Sequence, residues 1–100
     1  MRSRYAAYAL GLTDYILATT HPDGPHFQED RAAWTADVDS FCKHTRFRGL
    51  KIVHRETAAD RAWVTFHANL EQAGRDASFT EKSLFLKSGG RWMYHSGEPG

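Results

Sequence analysis

The spacing of apolar residues changes once along the chain, near Arg46, and this change constrains the fold more than any other feature. Before Arg46 the apolar residues recur at helical spacing, and after it they alternate with polar residues, as in strands with one buried face. The later segments are joined by the short connections TAAD, QAGR and GG, so neighbouring strands should pair antiparallel. Helices followed by such a sheet predict an α+β domain.

Three helices are predicted in the first half of the chain. The first spans residues 2–10 and ends at Gly11, which favours a left-handed C-cap. Thr13 is expected to cap a short second helix over 13–17, which the loop THPDGPHF ends. The third helix spans 29–43, and its apolar stripe consists of Trp34, Val38, Phe41 and Cys42.

Four strands are predicted in the second half, at residues 47–56, 61–71, 76–87 and 91–97. One hundred residues can build one hydrophobic core but not two. We therefore expect a single domain over residues 1–100, with three N-terminal helices packed on a curved four-stranded antiparallel sheet.

The turns predict which strand residues face each other. Gly89 and Gly90 suit a two-residue type I′ turn, because both central positions of that turn need a positive φ. If the QAGR loop also turns tightly, Glu81 lies opposite Phe66. In the last hairpin the turn at Gly89 and Gly90 sets Ser88 opposite Arg91, Phe85 opposite Tyr94 and Ser83 opposite Ser96.

One face of the predicted sheet is apolar except at two positions, Glu81 and Ser83. A carboxylate on a covered face is costly unless it is paired or protonated. One interpretation is a structural ion pair between Glu81 and Arg2 or Arg4 of the first helix, since arginine can satisfy several carboxylate lone pairs. The other is a catalytic or binding group in an aromatic-lined pocket. That pocket would consist of Glu81, Ser83, Tyr94, Trp92, Phe66 and Trp34. Because protein interiors pack densely, we expect the space to be filled rather than open.

The opposite face of the sheet is not wholly polar. Trp63, Leu84 and His95 form a row across it, flanked by Leu86 and Met93. A monomer gains nothing by exposing such a row, so it is predicted to be a homodimer surface. The alternative is that a loop or the C-terminal tail covers it.

Several stretches resemble the YchJ family of bacterial proteins. They are MRSRYAAYALGLTDYILATTHP, FRGLKIV, AWVTFHA and FTEKSLFLKSGGRWMYHSG, which together extend over essentially the whole chain. The resemblance implies a nuclear transport factor 2-like, or cystatin-like, fold, in which a curved sheet wraps around helices as a cone. It supplies no catalytic residues. Family members carry zinc-binding SEC-C segments of the Cys-Pro-Cys-Gly-Ser-Gly type beside this domain, and this sequence contains no such segment.

Composition excludes several kinds of partner. The net charge is +1 with both signs interspersed, so no basic block indicates nucleic acid. No apolar run approaches the roughly 20 residues of a membrane span, and the N-terminus lacks the apolar core of a signal peptide. Cys42 is the single cysteine and cannot form an internal disulfide. We therefore expect a cytoplasmic protein.

The remaining motifs predict no enzyme chemistry. The six histidines lack zinc-ligand spacing, and no phosphate-binding glycine loop occurs, so we predict no metal and no cofactor. Cys42 lies on an apolar stripe with no activating neighbour, which is typical of a small hydrophobe. The sequence favours a non-catalytic binding or protein-interaction domain, whose partner is an unknown protein or small molecule. The alternative is a small-molecule-binding or enzymatic cone that uses Glu81.

Overall fold

The computed structural model describes residues 1–100 and has helices in its first half and strands in its second. The helices are α1 (Arg2–Leu10), α2 (Thr13–Ala18) and α3 (Arg31–His44). The strands are β1 (Thr45–Thr57), β2 (Arg61–Gln72), β3 (Arg75–Asp76), β4 (Phe79–Ser88) and β5 (Arg91–Pro99). The α+β class is confirmed, but the antiparallel sheet has five strands rather than the predicted four, in the order β1-β2-β4-β5 with β3 paired to β2.

The helix ends follow local capping chemistry. Gly11 closes α1 in the left-handed conformation, with φ of 70°, as predicted. Thr13 is not the N-cap of α2: Leu12 is, and the Thr13 hydroxyl instead donates to the Asp39 carboxylate on α3. Helix α3 begins two residues later than predicted, because the Asp30 side chain accepts a hydrogen bond of 3.1 Å from the Ala33 amide.

The predicted third strand is divided by the side chain of Ser78. Its hydroxyl accepts a hydrogen bond of 3.0 Å from the Leu70 amide, a donor that a regular ladder would pair with a backbone carbonyl. The Ser78 amide in turn donates to the Asp76 carboxylate over 2.9 Å, in a local turn. A side chain therefore replaces the ladder at this point, and β3 and β4 become separate strands.

The last hairpin keeps its predicted register near the turn and loses it farther away. Gly89 and Gly90 have φ of 57° and 79°, and Phe85 pairs with Tyr94 as predicted. A β-bulge then shifts the register, so Ser83 pairs with Gly97 and the predicted pairing with Ser96 is wrong. A bulge adds one residue to one strand and bends it.

The loop after α2 holds the edge strand β5. The Tyr94 amide donates to the Thr19 carbonyl and the His21 amide donates to the Tyr94 carbonyl, each over 2.8 Å. Gly24 lies so close to β5 that a β-carbon there would be 2.2 Å from the His95 carbonyl oxygen. These contacts fix the position of the Tyr94 backbone.

The hydrophobic core is divided between the two layers. One cluster lies among the helices and consists of Ala7, Ile16, Leu17, Trp34 and Val38. Two more lie on the inward face of the sheet: Ala62, Val64, Phe85 and Tyr94 form one, and Phe66, Ala68 and Leu70 form the other. On α1 the buried residues are Arg4 and Ala7, whereas Ala9 is exposed.

The residues of the apolar row predicted on the outward face are half-buried, but the row is interrupted on β5, because the bulge sets Ser96 rather than His95 opposite Leu84. This row consists of Trp63, Leu84, Leu86, Met93 and His95. Arg61 and Lys82 each lie with a cationic group 6.0 Å from the Trp63 ring, so their long side chains cover part of it. No helix is both long enough and apolar enough to cross a membrane.

Candidate functional site

A cavity of about 440 Å³ separates the helical cluster from the sheet clusters. We call it the central cavity. Ile16, Trp34 and Val38 form its helical wall, and Phe66, Ala68 and Leu70 line the sheet side. Most of its lining side chains are apolar, and its polar groups include Arg4, Glu81 and Tyr94. The expectation that the aromatic residues fill this space is wrong.

Glu81 is held in the cavity wall by two hydroxyl groups. Ser83 donates to its Oε2 over 2.5 Å, and Tyr94 donates to the same oxygen over 3.1 Å. Ser83 is fully buried, with 0% of its surface exposed, so Glu81 satisfies a hydroxyl that no water reaches. The other carboxylate oxygen, Oε1, accepts no hydrogen bond from the protein.

Glycine 97 makes room for this carboxylate. It pairs with Ser83 across β4 and β5, and a β-carbon built on it would lie 2.2 Å from Cδ of Glu81. The bulge at the end of the hairpin therefore brings a residue without a side chain to the position that the Glu81 carboxylate occupies. Strict alternation along β5 predicts Ser96 opposite Ser83, so the sequence pattern alone does not reveal that Gly97 takes this position.

The neighbouring phenol keeps its proton. Burial, followed by the negative charge of Glu81 and the hydrogen bond to it, raises the pKa of Tyr94 far above its ordinary value. Tyr94 is therefore a hydrogen-bond donor at neutral pH rather than a base. Burial also raises the pKa of Tyr8, another residue of the central cavity.

The predicted ion pair of Glu81 with Arg2 or Arg4 does not form, since no arginine nitrogen lies within 4.0 Å of the carboxylate. Arg4 binds the end of α2 instead: its Nη1 donates to the Ile16 carbonyl over 3.2 Å and to the Thr19 hydroxyl over 2.7 Å. A helix C-terminus offers free carbonyls and partial negative charge, which attract a cation. The guanidinium also lies 4.7 Å from the Tyr94 ring centroid.

The residues of the predicted pocket do not all line the central cavity. Trp34, Phe66, Glu81 and Tyr94 line the central cavity. Ser83 is buried behind Glu81 and does not line it, and Trp92 is 40% exposed and borders a second hollow.

Several residues of the central cavity have no role in the sequence prediction. Tyr5 and Tyr8 of α1, Phe47 of β1 and His26 of the loop after α2 all line it. Their spacing of three residues places Tyr5 and Tyr8 on the same side of α1, but this spacing does not reveal that the side borders open space. His26 is brought there by the loop bound to β5, with its ring 5.6 Å from that of Tyr94.

The remaining reactive side chains do not assemble into a site. Cys42 packs against the helical cluster, and burial followed by the charge of Asp39 raises the pKa of its thiol. No group of three or more His, Cys, Asp and Glu side chains is arranged to hold a metal ion.

Comparisons with known proteins identify the family. Residues 1–97 match the family described as YchJ, middle NTF2-like domain. A UPF0225 protein of Chromobacterium violaceum is 38% identical over 104 residues, covering 97% of this chain and 69% of that protein. A UPF0225 protein of Vibrio vulnificus is 35% identical over 100 residues, and the chain spans 56% of its length.

A solved structure agrees with the sequence match. The solution structure of a SEC-C motif containing protein from Rhodopseudomonas palustris superposes with a TM-score of 0.83 at 34% identity, covering 100% of this chain and 75% of that one. The resemblance noted in the sequence is thereby confirmed. The chain belongs to the YchJ family, as its middle, NTF2-like domain.

Proposed function

We propose that this domain binds a small, largely apolar molecule in the central cavity, without catalysis, and that Glu81 accepts a hydrogen bond from an amine or hydroxyl of that molecule. The observation that carries the proposal is the divided core: apolar side chains of the helices and of the sheet face each other across about 440 Å³ of space. Binding pockets for small molecules typically measure about 300–1,000 Å³ and are mostly apolar with a few polar groups.

The free oxygen of Glu81 supports the choice of ligand head group. Both protein hydrogen bonds end on Oε2, and no cation lies within 4.0 Å of the carboxylate. A buried or half-buried carboxylate gains most from a charged donor, because hydrogen bonds between charged groups are about twice as strong as neutral ones. An aromatic or aliphatic amine would supply that donor and place its apolar part against Phe66 and Trp34.

The chemistry of the cavity wall favours binding over catalysis. A general base must reach a substrate proton with a free lone pair and a suitable pKa. Tyr94 holds its proton well above neutral pH and therefore cannot act as that base. The one cysteine, Cys42, does not line the cavity.

A calorimetric titration with matched compounds tests the proposal. 2-Phenylethylamine and 2-phenylethanol can donate to Oε1, whereas 2-phenylethyl methyl ether has the same apolar part and no donor. We expect the amine to bind at least about tenfold more tightly than the ether, since a hydrogen bond to a charged group contributes about 1.5–3 kcal/mol.

Two variants assign the binding to the central cavity. Glu81→Gln should reduce the preference for the amine over the ether, and Ala68→Phe should abolish binding of all three compounds by filling the space beside Phe66. The proposal is wrong if no compound binds, or if Ala68→Phe binds them as the wild type does.

We also propose that the protein works in the cytoplasm, since its single cysteine cannot form an internal disulfide.

We further propose that the outward row of Trp63, Leu84, Leu86, Met93 and His95 mediates self-association. The support is the extent of half-buried apolar surface on one face. Light scattering of the wild type and of Trp63→Glu would decide it, because a shared surface predicts a dimer in the first and a monomer in the second. A wild-type monomer at high concentration contradicts it.

A relative of this chain suggests a setting for the domain. The R. palustris protein is described as containing a SEC-C motif. We propose that this domain contributes ligand binding beside such a segment in full-length family proteins.

A further inference from the structure

A second hollow lies on the other side of Arg4 from the central cavity. We call it the arginine hollow; its volume is about 450 Å³. It lies between the start of α1, the end of α2 and the inward face of the sheet, where Val64, Phe85 and Trp92 form an apolar wall. The hollow is thus distinct from the site proposed above, although Met1 and Arg4 border both.

The charged residues around this hollow all have the same sign. Arg2, Arg4 and Arg55 line it, and no aspartate or glutamate does. None of these three arginines has a carboxylate oxygen within 4.0 Å. Because the whole chain has a net charge of only +1, this is a local concentration of positive charge and not a property of the surface in general.

Arg4 is the buried member of the set, and no carboxylate forms a direct ion pair with it. Its residue surface is 6% exposed, and its three protein hydrogen bonds all come from Nη1 and end on neutral oxygens. The Nη2 and Nε groups take part in none of these hydrogen bonds. Both are in contact with solvent, because the Tyr5 hydroxyl is the only side-chain polar atom that is fully buried without a partner. A buried guanidinium with two free donors is suited to an anion.

We propose that the arginine hollow binds a small organic anion, with its carboxylate or phosphate group between the guanidinium groups of Arg2, Arg4 and Arg55 and its apolar part against Trp92. Arginine binds both kinds of oxyanion through paired N–H donors. The proposal does not depend on ligand binding in the central cavity.

Titrations with benzoate, phenyl phosphate, inorganic phosphate and benzamide test this site. Benzoate and phenyl phosphate distinguish the two head groups, inorganic phosphate lacks the apolar part, and benzamide is a neutral molecule of the same shape as benzoate. We expect at least one of the two aromatic anions to bind at least tenfold more tightly than benzamide and inorganic phosphate, with affinity falling as salt is added.

Exposed arginines provide variants that leave the fold intact. Arg2→Gln and Arg55→Gln should each weaken binding of that anion several-fold. Arg46→Gln removes the same charge from an exposed position on β1 that borders neither hollow, and should leave it unchanged. Equal binding of benzoate and benzamide, equal effects of Arg46→Gln and Arg55→Gln, or no saturable binding of either aromatic anion would overturn the proposal.

The two binding proposals can fail separately. Binding of an aromatic anion by Glu81→Gln, together with loss of its preference for the amine, would support both sites. Loss of anion binding in Arg55→Gln with amine binding retained would support their separation. If Arg55→Gln and Arg2→Gln abolish amine binding as fully as anion binding, the two ligands share one site. That result would overturn the proposal of a separate site in the arginine hollow.

Discussion

Glu81 gains its position from hydroxyl groups and not from an arginine. Its Oε2 accepts from Ser83 and Tyr94, while the nearest basic side chain on α1, Arg4, is bound to the end of α2. A hydroxyl network is less costly to break than a buried ion pair, whose loss strands an unpaired charge. The stability of Glu81 variants therefore distinguishes the two arrangements.

Glu81→Ala should lower the free energy of unfolding by about 1–3 kcal/mol, because the fully buried Ser83 hydroxyl loses its acceptor. Urea denaturation of a double-mutant cycle measures the coupling. The Glu81→Ala and Ser83→Ala changes should not be additive, whereas Glu81→Ala and Arg2→Ala should be. Coupling to Arg2 as strong as that to Ser83 would restore the ion pair.

Gly97→Ala should force the Glu81 carboxylate out of its place and cost about 1–3 kcal/mol, since the new β-carbon overlaps its Cδ. In a Glu81→Ala background the same change should cost much less, because the clashing group is absent. Thermal unfolding of the four proteins in this cycle gives the result. An equal cost in both backgrounds would mean that Gly97 acts through its backbone alone.

The raised pKa of Tyr94 predicts that the protein loses stability at alkaline pH. The raised pKa means that the folded chain keeps the proton where the unfolded chain loses it. The resulting stability is complete below about pH 10, the ordinary tyrosine pKa, and is lost as the pH rises above that value. Denaturation across this range should show a smaller decline for Tyr94→Phe than for the wild type. Parallel declines would contradict the assignment.

Strand β5 depends on the loop after α2 as much as on its hairpin. The loop supplies backbone partners to Tyr94, and Gly24 packs directly on the His95 carbonyl. This contact joins residues about seventy positions apart, and nothing in the local pattern of either segment announces it. The turn residues at Gly89 and Gly90, by contrast, carry their geometry in their own chemistry, and that part of the register is predictable.

Gly24→Ala should therefore loosen β5 and cost about 1–3 kcal/mol, since its β-carbon meets a backbone oxygen that cannot rotate away. Hydrogen exchange should accelerate at the amides of His21 and Tyr94, which bond across this contact. Gly49→Ala is the matched control, because the nearest atom to its β-carbon is 4.0 Å away. Unchanged protection at both amides in Gly24→Ala would show that the loop does not hold the strand.

The division of the core into helical and sheet clusters is the property of the whole molecule on which its proposed function depends. Apolar periodicity indicates which side of an element faces inward, and it correctly places Phe66, Val64 and Trp34 there. It carries no information on the distance between two layers, which depends on loop lengths and bulges. For that reason the inward position of Glu81 could be predicted, while the open space beside it could not.

Ala68→Leu tests the open cavity most directly, because Ala68 lies on its sheet wall. Filling empty space buries apolar surface, so the free energy of unfolding should stay unchanged or rise. Ala7→Leu, at a buried position in the helical cluster that borders neither hollow, should instead lose about 1–3 kcal/mol through overpacking. A loss of the same size in Ala68→Leu, measured by urea denaturation, would contradict the account of a cavity between the two layers.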